Sequence, residues 1–97
     1  MIDRKRDLLE RAIKTIAERG VPYGGVEDNF GRIARLWNGH LVNRFGTAPE
    51  LAPADVAMMM MLLKIARLEN QSNHPDSWTD IAGYAACGAE ITADDPI

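Results

Sequence analysis

Apolar residues recur every three or four positions through most of this chain. The interruptions fall at glycine, proline and asparagine, a pattern that predicts four helices and no strand. The first helix covers about residues 4–19, with Leu8, Leu9, Ala12, Ile13, Ile16 and Ala17 on one side and Lys5, Arg11, Lys14 and Glu18 on the other. Asp3 is placed to cap its start and Gly20 its end. Gly20-Val-Pro-Tyr-Gly-Gly25 reads as a break, since glycines permit positive φ and Pro22 fixes its own. The second helix covers about residues 27–43, its stripe formed by Phe30, Ile33, Ala34, Trp37 and Leu41. Glu27 and Asp28 lie in its first turn, where the helix dipole favours negative charge, and residues 45–50 form a loop. The third helix opens at Pro53, a residue well tolerated at a first helical position, and reaches about Asn70. From Val56 to Leu68 it is apolar nearly all round, interrupted only by Lys64 and Arg67. The fourth helix starts with Asp76 or Ser77 as cap. Trp78, Ile81, Ala82, Ala85 and Ala89 form its expected inward stripe, and Gly83, Ala86, Cys87 and Gly88 leave the rest smooth enough for a close neighbour. Residues 92–97 read as a frayed tail.

These elements define an all-α fold, a single helical domain over residues 1–97. The length of 97 residues suits one domain, and a chain this short buries only roughly 60–65% of its unfolded surface. A helix without a polar face needs apolar neighbours on all sides, and three short amphipathic helices do not supply them. The expectation is therefore an oligomeric helical bundle, a dimer or tetramer.

The charge is uneven. Residues 1–46 carry nine Lys/Arg against six Asp/Glu, and residues 47–97 carry two against eight. This gradient suits self-complementary packing or a basic half facing an anionic ligand, while duplex DNA would want a denser basic stripe. The single cysteine, Cys87, has no internal partner, which favours a reducing compartment. The charged opening residues lack the pattern of a secretory leader, and no apolar run approaches membrane-spanning length. The cytoplasm is the expected location.

Three groups of residues carry possible chemistry. Lys64 and Arg67 lie three apart on an apolar helix, so their heads either pair with Asp80 or Asp76 or are held toward an anion. Asp76 and Asp80 share one helix face and could hold Mg²⁺, or could cap and pair instead. Tyr23 and the glycines beside it precede Asn29 and Arg32, where backbone N–H groups and a guanidinium could meet phosphate, although no Walker A pattern is present. His40 and His74 stand apart without zinc spacing, and the run Met58-Met-Met-Met61 points in four directions, which suits core and interface filling.

The segments Tyr23-Gly-Gly-Val-Glu-Asp-Asn-Phe-Gly-Arg-Ile-Ala-Arg-Leu-Trp37, Asp55-Val-Ala-Met-Met-Met-Met-Leu-Leu-Lys-Ile-Ala-Arg67 and Asp76-Ser-Trp-Thr-Asp-Ile-Ala-Gly-Tyr84 resemble a family of small bacteriophage proteins of unassigned function. The resemblance implies a phage or prophage origin, and hence the cytoplasm of an infected or lysogenic bacterium. More loosely, the chain is similar to the all-α MazG-like nucleotide pyrophosphohydrolases, which hold Mg²⁺ with Glu-x-x-Glu on one helix and Glu-x-x-Asp on a later one. Asp76 and Asp80 imitate the later element at spacing four, but the earlier one is missing. Lysine and arginine where acids should stand suit holding phosphate better than cutting it. Size, helicity and expected self-association are also similar to viral sponge proteins that sequester cyclic nucleotides. The resulting expectation is a nucleotide- or cyclic-dinucleotide-binding protein that does not hydrolyse its ligand and needs no cofactor. Tyr23, Trp37, Trp78 or Tyr84 would stack on a base, and Asn29, Arg32, Lys64, Arg67 and Asp80 would line the rest of the site. The alternatives are a Mg²⁺-dependent pyrophosphohydrolase acting through Asp76 and Asp80, and a structural or protein-interaction module.

Overall fold

The computed structural model describes residues 3–23 and 25–94, with the side chains of residues 20–23 and 26 outside that description. The described residues form four helices, α1 (Arg4–Tyr23), α2 (Val26–Phe45), α3 (Pro53–Asn70) and α4 (Pro75–Ile91). The all-α fold is the one that periodicity predicts, and the bounds of α3 coincide with it.

Three boundaries differ. α1 continues through Gly20 and Pro22 to Tyr23 instead of ending at Arg19. Glycine permits a left-handed cap but also tolerates a helix at a cost of about 1 kcal/mol. α2 ends later than expected, at Phe45, where Gly46 takes φ 85° and donates its N–H to the Val42 carbonyl at 2.8 Å. That left-handed geometry is where glycine is needed. α4 is capped by His74, not by Asp76 or Ser77. The His74 Nδ1 accepts from the Ser77 backbone N–H at 3.2 Å and lies 2.8 Å from the Ser77 Oγ. Asp76 therefore stands in the first turn. At the start of α3, the Asp55 carboxylate accepts the Ala52 N–H at 2.8 Å.

α3 and α4 form an antiparallel hairpin and share the largest interface in the domain, with α1 against α4 and α2 against α3. α1 and α3 do not meet among the described residues. The core lies at the N-terminal end of α3, where Val56 and Ala57, both fully buried, meet Phe30 and Ala34 of α2. Trp37, Met60, Tyr84, Cys87 and Ile91 close around them. Asn38 ties the α2–α3 loop to this core, accepting the Leu51 N–H at 3.0 Å.

The inward side of α4 follows the expected stripe only in part, with Ile81 and Ala82 half-buried. Trp78, expected inside, is 48% exposed, and Ala85 and Ala89 also face solvent. Of the smooth residues, Cys87 packs on the core and a Cβ added at Gly88 would lie 3.4 Å from the Ala57 Cβ, while Ala86 is exposed and Gly83 has open space beside it. Backbones that approach this closely favour small side chains over large ones, so apolar bulk misidentifies the buried face. α1 likewise buries Ala12 while Leu9, Ile13 and Ile16 stay exposed.

The molecule is spread out. Its radius of gyration is 15.2 Å, whereas a compact chain of this length has about 12–13 Å. None of the described helices is long and apolar enough to cross a membrane.

Candidate functional site

The hairpin of α3 and α4 gathers most of the chemically useful side chains. Lys64 and Asp80 face each other across it, Nζ to Oδ2 at 2.9 Å, with side chains only 12% and 21% exposed. Of the partners open to Lys64, Asp80 is the one it takes. The pair stands about two turns along α4 from the hairpin turn, where packing has removed most of the water that would otherwise solvate each charge.

Beyond this pair the hairpin closes at residues 71–74. Trp78 donates its indole N–H to the Ser72 carbonyl at 2.8 Å, which pins the ring against the turn while leaving it accessible. Beside it, an open groove is lined by Leu63, Ala66, Arg67, Asn70, Gln71 and His74. Arg67 is the single formal charge on that lining and has no carboxylate within ion-pair distance among the described residues. The other polar walls, Asn70, Gln71 and His74, are hydrogen-bonding side chains.

A second groove runs between α1 and α4, lined by Arg11, Lys14, Thr15, Glu18 and Arg19 on one side and Asp76, Thr79 and Asp80 on the other. Its cations are offset: Arg11 pairs with Asp7 at 3.2 Å, Lys14 with Glu18 at 4.0 Å, and two aspartates face them. The mixed lining gives no strong field of either sign.

The remaining expected ligand residues are dispersed. Tyr84 packs in the core, its ring centroid 6.2 Å from that of Phe30, and Trp37 borders the same cluster. Ala57 and Arg67 are ten residues apart, so helical rise puts this core roughly 15 Å along α3 from the Arg67 groove. Asn29 is half-buried and Arg32 exposed on α2, and the side chain of Tyr23 lies outside the described residues. Of the expected set, the fold therefore places Lys64 with Asp80, Arg67 on the open groove and Trp78 against the hairpin turn, but assembles no pocket from all nine.

Asp76 and Asp80 do not fit a Mg²⁺ site. Asp80 already holds an ammonium, Asp55 serves the α3 cap, and among the described residues no three His, Cys, Asp or Glu side chains converge as metal ligands.

His74 was legible but overlooked. Pro75 at a first helical position marks the preceding residue as the cap, the rule that places the start of α3 at Pro53.

Cys87 sits against the core, where burial, and behind it the negative charge of Glu90, pushes its thiol above the ordinary range. Less thiolate means a weaker nucleophile. Iodoacetamide at pH 8 is expected to alkylate the folded protein more slowly than the urea-unfolded chain. Equal rates would show a thiol that packing does not protect.

This four-helix all-α domain, with its paired hairpin and dispersed polar groups, belongs to the DUF6378 family, a domain of unknown function, whose pattern spans residues 7–92. Its relatives include the Gene 55 protein of Mycobacterium phage D29, 42% identical over 85 residues, which covers 87% of this chain and 52% of that protein. The Gene 55 protein of Mycobacterium phage L5 is 44% identical over 68 residues, 70% of this chain and 40% of that protein. The chain thus spans about half the length of these curated relatives. Both come from bacteriophages, the source implied by the resemblance in sequence. No solved structure matches the chain.

Proposed function

We propose that this chain is a phage-encoded, non-enzymatic binding domain whose ligand is a nucleotide or cyclic dinucleotide, held by its phosphate at the groove along the C-terminal end of α3 and the turn that follows it. One observation carries the reading: Arg67 is a guanidinium without a carboxylate partner among the described residues, on a groove otherwise lined by apolar and hydrogen-bonding side chains and no carboxylate. A guanidinium binds phosphate through two parallel hydrogen bonds, and Asn70, Gln71 and His74 add donors at its edge. The exposed indole of Trp78, one turn beyond His74, offers a face for a base. Lys64 is withdrawn from the expected phosphate contacts because Asp80 occupies it. Release of the ligand unchanged suits a sequestering role.

The test is a thermal-shift series with mononucleotides and cyclic dinucleotides at millimolar concentration. A ligand at a hundred times its Kd stabilises the folded state by about 2.7 kcal/mol, which raises the melting temperature of a domain this size by on the order of 10–20 °C. Arg67→Glu is expected to abolish the shift. If every nucleotide leaves the melting temperature unchanged, the reading is wrong. If nucleoside triphosphates are converted to monophosphate and pyrophosphate with Mg²⁺, the pyrophosphohydrolase alternative replaces it. The interaction-module alternative draws on a different observation, the apolar surface left outside.

A further inference from the structure

The outward side of α3 repeats at alternating steps of three and four: Asp55, Met58, Leu62, Ile65 and Glu69. This is the spacing of a seam that packs along another helix. Leu62 is 62% exposed, and Met58 and Ile65 stand open on either side of it, flanked by Met59 and Leu63. α1 carries a matching seam of Arg6, Leu9, Ile13 and Ile16, with Ile13 66% exposed. Within one subunit these seams cannot cover each other, because α1 and α3 do not meet among the described residues.

We propose that the chain forms a two-fold homodimer in which the α1 seam of each copy packs on the α3 seam of the other. Two quantities support a second copy as the occupant. The accessible surface is 7430 Å², whereas a compact monomer of 10.7 kDa exposes about 5,500 Å². The excess, about 1,900 Å² per subunit, falls within the range that obligate dimers bury. Charge then selects the pairing. The only charged residues on the α3 seam are Asp55 and Glu69, so packing α3 on its own copy would set acid against acid. α1 carries six basic residues against three acidic ones, with Arg6 on the seam itself. Packing basic α1 on the acidic-ended α3 seam instead sets opposite net charges against each other.

The two-fold arrangement makes both contacts at once, which allows a decisive mixing experiment by sedimentation. The wild-type chain is expected to run at about twice 10.7 kDa at micromolar concentration. Leu62→Lys and Ile13→Glu are each expected to run as folded monomers, with helical circular dichroism retained because both positions are exposed. Mixing the two variants is expected to restore a dimer, since the charge introduced by Leu62→Lys in one chain then meets the opposite charge introduced by Ile13→Glu in the other while the second contact stays wild type. A wild-type monomer at tens of micromolar overturns the proposal. So does an Ile13→Glu protein that remains dimeric, or a mixture that stays monomeric. Nucleotide binding is read separately, so either idea can fail alone.

Discussion

Phe30→Ala is expected to cost the domain about 3 kcal/mol or more and to lower its melting temperature by on the order of 12–24 °C. Phe30 is 6% exposed and is the largest of the four residues at the centre of the core, whose other members are Ala34, Val56 and Ala57. Alanine and valine neighbours have no spare reach with which to fill the space left by a ring, so the cavity persists. The Tyr84 ring would lose its tilted neighbour as well. A core this small leaves little reserve, since domains are stable by only about 5–15 kcal/mol in all. Calorimetry or thermal circular dichroism measures the effect. A loss below about 1 kcal/mol would mean that the α2–α3 contact contributes little to folding.

Asp80→Ala is expected to destabilise the protein by about 2–3 kcal/mol, because it leaves the Lys64 ammonium largely enclosed without its counter-ion. The figure stands below that of a fully buried pair because both side chains keep some contact with water. The informative comparison is the double variant Lys64→Met with Asp80→Leu. Removing both charges removes both desolvation costs, and apolar replacements pack between two helices already in contact, so most of the lost stability should return. Urea denaturation of the wild type, the single variants and the double variant gives the coupling directly. A double variant no more stable than Asp80→Ala would show that the hairpin needs the charged pair for something other than mutual compensation.

The candidate site was legible only in parts. Lys64 and Arg67 stood out because charge on an apolar helix demands a partner, and the pairing of Lys64 with Asp80 was among the open possibilities. Which of Asp76 and Asp80 it would take, and that Arg67 would take neither, depends on how α3 and α4 align. The register is set by the approach of Gly88 to Ala57, a contact between residues distant in sequence. The aromatic candidates were separated for a related reason. Stacking residues are also core residues, and Trp37 and Tyr84 went to the core while Trp78 stayed out.

By itself, the sequence determined the number and kind of elements. Helical periodicity, proline at the start of α3 and glycine after α2 are local properties, decided by hydrogen bonding and steric freedom within a few residues. It also exposed a mismatch between the apolar surface of α3 and the cover that this chain provides. Periodicity also found the inward face of α2, where Phe30 and Ala34 are buried with Ile33 and Trp37 packed on them, but only tertiary structure decided the faces of α1 and α4. On α4 Trp78 stayed outside while Gly88 came against Ala57, because glycine and alanine let two backbones approach and bring many atoms into van der Waals contact. Helix faces are chosen by the fit between partners, and a pattern read along one chain does not contain its partner's shape.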